Sequence, residues 1–449
     1  MNEPIYFKTG EKAVVTERVS ELLREHYFCV THPSGLTVYL FPKEHSTISA
    51  LYAVRFGAAN LAYRYDGDTE DTVLPVGTAH FLEHKMFEKE DGSDAFQLFS
   101  ELGADANAYT SWDKTAYLFY ATEKERECLR ALLSFVSRPY FTEETVKKEQ
   151  GIIGEEIRMN QESSVERCFI NLLSAMYSEN AIRNEICGSE KTIAEITPSI
   201  LYECCKAFYR PSNMALVVSG NISLKELLSV VDDVLPLEGG ECRRVISRDE
   251  NRSETAAVFR TYVEEKMPIG KPIFLIGVKD QKAISLSPRD RMRRDALMSL
   301  VKEMYFSTSS ELYNRLFDSG VISPSFVSAY GATDLYAFFE LGGESDDPSR
   351  VLREVKQTIS EARESGVPEE LFERARRVLY AKTVKSFDST KTISEMLLDY
   401  VFSDYELFEY VSLFQTLTRE DVEELLRDAF SDEEFSLSVI LPITDGEVE

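Results

Sequence analysis

The sequence predicts an α+β fold of two homologous domains, each with an antiparallel or mixed β-sheet and helices packed on one face. The chain has 449 residues, which is too long for one ordinary hydrophobic core. Strands, helices and a hairpin follow one another in the same order in each half. A charged segment with a Gly-Gly pair and no periodicity separates the halves, so we expect domains at 1–235 and 256–449 and a linker at 236–255.

The first half begins with strands and continues with helices. Its first strands are rich in β-branched and aromatic residues and are interrupted by a Pro-Ser-Gly turn, and a later helix ends at Gly103, a typical C-cap residue. An alternating segment that turns at 111–114 is typical of a hairpin. The predicted elements are strands within 27–57, helices from about 76 and over 93–102, the hairpin, helices at 123–137, 142–161 and 163–177, and a strand at 214–221.

The second half repeats this plan. Its predicted elements are strands at 256–263 and 273–279, helices at 288–304 and 309–317, strands within 324–342, helices at 348–364 and 368–385, and a final strand in "FSLSVILP". The order of strands, helices and a hairpin favours antiparallel or mixed sheets over a doubly wound nucleotide fold. The sequence contains neither a phosphate loop nor a dinucleotide fingerprint.

The chain is strongly acidic, with a formal net charge of −27. This charge repels phosphate backbones and anionic lipid headgroups, so we expect neither nucleic acid nor membrane as a partner. Solubility is the first explanation of this charge, and an acidic surface or chamber that favours basic ligands is the alternative. The N-terminus lacks a secretory signal, no apolar run is long enough for a membrane helix, and the seven cysteines form no Cys-x-x-Cys pair. We therefore expect a cytoplasmic protein with reduced thiols.

The segment "HFLEH" places His80, Glu83 and His84 on one face of the helix predicted from about 76. At 100° per residue the two histidines lie about 40° apart and Glu83 lies about 60° from His80. Two imidazoles one turn apart can bind one zinc ion and leave the acid between them to act as a general base, and this spacing is the inverted zincin signature. The alternative is a surface or core helix with incidental histidines.

A third zinc ligand is expected on the helix within 145–160, which offers Glu149, Glu155 and Glu156. A helical wheel places Glu149 and Glu156 in the middle of the apolar face and Glu155 on the outer side. That face is defined by three isoleucines, Ile152, Ile153 and Ile157. A carboxylate in an apolar interior is costly unless a cation meets it, so we expect Glu156 as the third ligand and Glu149 as an acid that orients a ligand histidine. A buried structural salt bridge is the alternative for each.

Three segments, "GTAHFLEHKMF", "LGADANAYTSWDKTAY" and "EQGIIGEEI", resemble the pitrilysin/insulinase family of zinc metallopeptidases, the inverzincins. The length resembles that of the half-size members, such as mitochondrial processing peptidase, and most closely the bacterial YmfH-like group. The resemblance implies Zn²⁺ as cofactor, His80, His84 and Glu156 as its ligands, Glu83 as general base and Glu149 as a supporting acid.

The resemblance also implies that the strand after the second helix is a sheet edge that binds substrate peptide by strand addition. Asn107, Ala108 and Tyr109 would then contact the substrate. Main-chain pairing of this kind gives sequence-tolerant affinity for an extended peptide. For this hairpin alone, an internal strand is the alternative.

The second half departs from the family pattern. Its counterpart stretch, "DALMSLVKEMYF", contains no histidine, so we expect one zinc site per chain. Where the family carries an arginine and a tyrosine that hold the substrate backbone, this chain has Phe317 and Ser323, while Arg315 and Tyr313 are nearby but out of register.

The resemblance and this departure together imply a zinc-dependent endopeptidase that hydrolyses peptides or short unfolded segments in a chamber formed with a second subunit. We expect a heterodimer with a related metal-free subunit, and a homodimer is the alternative. Two other functions remain open. One is a non-catalytic peptide-binding or assembly subunit with a structural zinc site, and the other is a zinc hydrolase acting on something other than peptides.

Overall fold

The computed structural model describes residues 4–236, 245–247 and 254–443. Most of the linker expected at 236–255 lies outside these residues. The chain divides into two compact units. The first comprises Met1–Ile157, Ile186–Arg248 and Val384–Phe402, and the second comprises Arg158–Glu185, Asp249–Thr383 and Ser403–Glu449. Each unit therefore includes a segment from the opposite half of the sequence, and the domain boundaries at 235 and 256 stay a prediction.

The described residues form strands and helices throughout both units. The strands are β1 Val15–Ser20, β2 Glu25–Thr31, β3 Thr37–Pro42, β4 Ile48–Val54, β5 Ala62–Tyr65, β6 Thr72–Val73, β7 Asp105–Thr110, β8 Thr115–Ala121, β9 Met214–Gly220, β10 Val245–Ser247, β11 Tyr262–Met267, β12 Ile273–Lys279, β13 Val327–Ala332, β14 Ala337–Glu344 and β15 Phe435–Pro442. The α-helices are α1 Thr78–Met86, α2 Ala95–Leu102, α3 Glu125–Val136, α4 Glu143–Glu162, α5 Ser164–Met176, α6 Glu190–Ile193, α7 Pro198–Phe208, α8 Leu224–Val234, α9 Gln281–Ile284, α10 Pro288–Val301, α11 Glu311–Asp318, α12 Pro348–Ser365, α13 Glu369–Ser386, α14 Thr390–Phe402, α15 Leu407–Thr416 and α16 Arg419–Asp428. A π-helix, Lys302–Phe306, continues α10.

A mixed sheet forms the centre of the first unit. In the described part of the chain its strand order is β1-β2-β3-β9-β4-β8-β7, with β3 parallel to β9 and the other neighbours antiparallel. The central strands β4 and β9 are buried at every residue, which explains their continuous apolar sequences. The predicted mixed sheet is confirmed, and β7 lies at one of its edges.

Helices cover both faces of this sheet. α3 packs against β4 and β8, and Ala50 and Tyr52 of β4 join the same core cluster as its apolar residues. On the other face, Ser49 Oγ lies 2.5 Å from Ser394 Oγ of α14. Successive residues of a strand point to opposite faces, so α14 covers the face that α3 leaves open. This helix comes from the second half of the sequence and was not predicted.

The second unit contains a sheet of order β11-β15-β12-β14-β13, in which β11 and β15 are parallel. α5, from the first half of the sequence, packs against β12 and β15. A Cβ at Gly277 would lie 2.4 Å from Met176 Sδ of α5, so a larger residue there would displace this side chain. Each sheet thus receives one helix from the other half of the sequence.

One predicted strand is misplaced and several elements were missed. The strand expected at 256–263 lies at 262–267, because it pairs in parallel with β15, while the N–H groups of Val258, Phe259 and Arg260 bond to carbonyl groups outside the sheet. The sequence analysis did not identify β1, β5, β6, α7, α15 or α16. Among the described helices, none has both the length and the apolar character that crossing a bilayer demands.

Candidate metal centre

α1 carries three of the predicted site residues, His80, Glu83 and His84. Gly77, at its N-cap, has a φ of 96°, and a Cβ there would lie 2.6 Å from the carbonyl oxygen of Cys187. Only glycine accepts both this left-handed conformation and this contact at low cost. The start of α1 is therefore fixed against the loop that contains Cys187.

α4 presents Glu149 and Glu156 to α1, but not in the way the helical wheel predicted. Ile153 and Ile157 are fully buried, as expected, whereas Ile152 is 47% exposed. The assignment of Ile152 to the apolar face is therefore wrong. The buried stripe is narrower than the wheel suggested, so the two acids lie at its edge and stay partly accessible.

His80, His84 and Glu156 converge on one point. His80 Nε2 lies 3.5 Å from Glu156 Oε1, and His84 Nε2 lies 3.6 Å from Glu156 Oε2. One potential ligand atom from each residue falls within 4.8 Å of the others. Two donors that share a tetrahedral zinc ion at about 2.0–2.1 Å lie about 3.3–3.4 Å apart. The donor set, two imidazoles and one carboxylate, and its spacing therefore fit zinc.

The two histidines differ in their surroundings. Burial, with a smaller contribution from the charge of His84, lowers the pKa of His80 to about 3, which favours the neutral imidazole that metals bind. His84 Nδ1 lies 3.1 Å from Glu149 Oε1. Burial opposes protonation of His84, but this hydrogen bond and the charges of Glu83, Glu149 and Glu156 outweigh it and raise the pKa of His84. Glu149 thus fixes the ring whose other nitrogen faces Glu156.

Glu83 lies beside this cluster without belonging to it. It is 8% exposed, and Thr110 Oγ1 donates a hydrogen bond of 2.7 Å to its Oε2. Burial raises the pKa of Glu83, while the bond from Thr110 opposes the shift. The sequence analysis missed Thr110. No local pattern indicated it, because Thr110 and Glu83 lie on different elements, β7 and α1.

Asn107, Ala108 and Tyr109 lie on β7, at the edge of the sheet in the described residues. Asn107 is exposed and the other two are partly buried. The N–H of Ala108 donates to Asn107 Oδ1 at 2.9 Å. Because Thr110 ends this strand and contacts Glu83, the strand and the acid are adjacent.

In the second unit, the residues that depart from the family pattern lie on and after α11. Phe317 is 42% exposed and stacks on Tyr313, with ring centroids 5.6 Å apart. Arg315 Nε donates to Glu354 Oε2 at 2.8 Å. Ser323 Oγ lies 2.6 Å from Ser325 Oγ. Phe317 has no hydrogen-bond donor to replace an arginine, and Ser323 has a hydroxyl group on a much shorter side chain than that of a tyrosine.

Another feature of the second unit was also missed. Lys382 Nζ of α13 donates to Glu303 Oε2 of the π-helix at 2.7 Å. The side chain of Glu303 is 8% exposed and that of Lys382 is 64% exposed. An ion pair therefore links these two helices of the second unit.

Comparisons with known proteins agree with these features. A model of the insulinase family, peptidase family M16, matches residues 66–190, and a model of the M16 inactive domain matches residues 195–379. The uncharacterized zinc protease YmfH of Bacillus subtilis (strain 168) is 33% identical over 423 residues, covering 94% of this chain and 98% of YmfH. The beta subunit of the mitochondrial-processing peptidase of Neurospora crassa is 28% identical over 170 residues, covering 37% of this chain and 36% of that protein.

A solved structure extends the similarity to the fold. The crystal structure of an M16-like peptidase from Alicyclobacillus acidocaldarius matches with a TM-score of 0.85 at 27% identity, covering 96% of this chain and 99% of that chain. The predicted resemblance to the YmfH-like group is confirmed by the match to YmfH over nearly the whole length of both proteins. The chain belongs to the insulinase family of peptidases, family M16.

Proposed function

We propose that this chain is the zinc-bearing subunit of a metalloendopeptidase that hydrolyses peptides or short unfolded segments. The observation that carries the proposal is the convergence of His80, His84 and Glu156 beside the unligated, buried Glu83. Three protein ligands leave a fourth position for substrate chemistry, whereas structural zinc sites close all four positions with protein ligands.

His80, His84 and Glu156 would hold the zinc ion, and Glu149 would keep the His84 ring in place through its bond to Nδ1. When bound, zinc supplies Lewis acidity that polarises the scissile carbonyl and makes a water molecule acidic enough to react near neutral pH.

Glu83 would carry the protons of the reaction. Its carboxylate accepts a proton from the attacking water and later gives it to the leaving amine. The burial of the Glu83 side chain supports this role. It raises the pKa of Glu83 and makes the carboxylate a better base than an exposed one.

β7 would hold the substrate. It is an edge strand, and Asn107, Ala108 and Tyr109 lie on it next to the residue that contacts Glu83. An extended peptide that adds to this edge pairs through its main chain. We therefore expect broad tolerance of substrate sequence.

A partner subunit would supply the arginine and tyrosine that hold the substrate backbone. Phe317 and Ser323 stand where the family resemblance expects an arginine and a tyrosine, and the nearby Arg315 is bonded to Glu354. One relative is named as a subunit of a processing peptidase. We propose a heterodimer with a related metal-free subunit that completes the chamber, and a homodimer in which Arg315 leaves Glu354 is the alternative.

We also propose a cytoplasmic location. No disulfide joins the six cysteines that the structure describes. Reduced thiols fit a reducing compartment.

The proposal is tested by digesting unstructured peptides with the purified protein, alone and with partner captured from the native cell, in the presence and absence of a zinc chelator. We expect internal cleavage that the chelator abolishes and added zinc restores, at a rate that the partner increases. Tight peptide binding with no cleavage under either condition would favour the non-catalytic subunit. Enzyme-like rates without partner would remove the need for a second type of subunit.

A further inference from the structure

Thr110 holds one oxygen of the Glu83 carboxylate. Its Oγ1 lies 2.7 Å from Glu83 Oε2, within the range of a charge-assisted O–H···O bond. Glu83 is buried on α1, whereas Thr110 is the last residue of β7. The hydrogen bond therefore joins the helix that carries the acid to the edge strand of the sheet.

Thr115, on the other strand of the hairpin, is another polar group near this hydroxyl group. Thr115 is opposite Thr110 in the β7–β8 ladder, and their Oγ1 atoms are 3.4 Å apart. Thr115 is fully buried and its Oγ1 donates to the carbonyl oxygen of Phe56 at 2.9 Å. An ionised carboxylate can only accept hydrogen bonds, and the contact with Thr115 is much longer, so Thr110 donates its proton to Glu83.

We propose that Thr110 is a positioning residue that fixes Glu83 for proton transfer and couples it to the peptide-binding strand β7. This inference rests on the proposed function and adds Thr110 to the residues that serve it. With Oε2 engaged by Thr110, Oε1 is the oxygen that exchanges protons with water and the leaving amine. A peptide that pairs with β7 is then held by the same strand that sets the position of the base.

The substitution Thr110→Val tests the hydroxyl group, because valine keeps the branched shape and loses the donor. A hydrogen bond to a charged group is lost, so we expect kcat to fall about tenfold to a hundredfold. We expect KM to stay within about twofold, because peptide pairing with β7 uses main-chain groups, and zinc content to stay unchanged. Thr110→Ser retains the donor and should recover kcat to within about threefold of the wild-type value.

Two controls separate this role from a structural one. Thr47→Val removes another hydrogen-bonded threonine hydroxyl of the same unit, 2.9 Å from Thr390 Oγ1, and should leave kcat unchanged. A crystal structure of zinc-loaded Thr110→Val should show the Glu83 carboxylate displaced or divided between rotamers. This structural measurement does not depend on activity.

Failure of the role of Thr110 and failure of the proposed function give different results. Wild-type kcat in Thr110→Val, a Thr110→Ser variant as slow as Thr110→Val, or an unmoved Glu83 in the variant crystal would each overturn the inference. If the wild-type protein and its partner complex showed no chelator-sensitive hydrolysis, the proposed function would fail, and the position of Glu83 in the crystal would still decide whether Thr110 positions it.

Discussion

Glu156 of α4 and Lys382 of α13 lie equally far from the starts of their helices and carry opposite charges. Glu156 follows Glu143, the first residue of α4, by the same number of residues as Lys382 follows Glu369, the first residue of α13. In the first unit Glu156 faces two histidines, and in the second unit Lys382 donates to Glu303. In the second unit the buried carboxylate of Glu303 is thus met by an ammonium group.

The substitution Lys382→Met should lower the free energy of unfolding by about 1–2 kcal/mol, because Glu303 loses its partner while Lys382 itself is mostly exposed and screened. Adding Glu303→Gln should recover most of the loss. Urea unfolding measures both, and Lys385→Met, on the exposed side of the same helix, is the control. A Lys382→Met protein as stable as the wild type would show that the pair contributes nothing.

Removing a zinc ligand should remove the metal. We expect His80→Ala and Glu156→Ala to bind less than a tenth of the zinc that the wild type binds under the same dialysis conditions, since each leaves two protein ligands. Glu155→Ala, on the exposed side of α4, should retain zinc. Metal analysis after dialysis provides the measurement, and full zinc occupancy in His80→Ala would refute the ligand assignment.

The substitution Glu83→Gln should separate binding from catalysis. Glutamine preserves the shape of the side chain but cannot accept the proton, so hydrolysis should fall about a hundredfold to ten-thousandfold. Zinc content should match that of the wild type, because Glu83 is outside the ligand cluster. Peptide digestion and metal analysis on one preparation check both expectations. Activity within threefold of the wild type would exclude Glu83 as the base.

The substitution Glu149→Gln should weaken zinc binding without abolishing it. Glutamine keeps a hydrogen-bond acceptor for His84 Nδ1 but removes the charge, and loss of such support typically costs about tenfold to a hundredfold in metal affinity. Competition with a coloured chelator measures the affinity. Glu144→Gln, in the exposed first turn of α4, is the control. An unchanged affinity in Glu149→Gln would show that His84 needs no orienting acid.

Local periodicity explains how much of the site could be predicted from the sequence. His80 and His84 are one helical turn apart, so helix geometry indicated these two donors, and the wheel singled out Glu149 and Glu156 although it placed both too deep in the apolar face. The width of the buried stripe depends on what packs against α4, which is why Ile152 was placed incorrectly. Thr110 was missed because its bond to Glu83 joins residues far apart in the sequence.

The fold shows the same division between local and long-range information. Alternation and turn residues identified the β7–β8 hairpin and its neighbours. The placement of α5 and α14 on the sheets of the opposite halves is decided by tertiary packing, which amphipathic patterns do not specify. β11 begins later than predicted because its register is set by β15, the last strand among the described residues.

A buried ion pair in the second unit should make the free energy of unfolding depend on pH in the acidic range. Lys279 Nζ donates to Glu254 Oε2 at 2.7 Å, and both side chains are almost fully buried. Burial alone would raise the pKa of Glu254, but the bonds from Lys279 and from the N–H groups of Glu179 and Asn180 outweigh it and hold the pKa below its ordinary value of 4.5. The unfolded chain therefore takes up this proton at a higher pH than the folded protein does.

The stabilisation from Glu254 should be complete above pH about 4.5 and should be lost as the pH falls through the lower, folded-state pKa. We expect urea unfolding between pH about 6 and about 3.5 to show a shallower decline in the free energy of unfolding for Glu254→Gln than for the wild type. Glu254→Gln should also be less stable near neutral pH, because Lys279 keeps its charge with a weaker partner. Glu370→Gln, an exposed residue of α13, should keep the wild-type slope. Equal slopes for Glu254→Gln and the wild type would show that this pair does not titrate with unfolding.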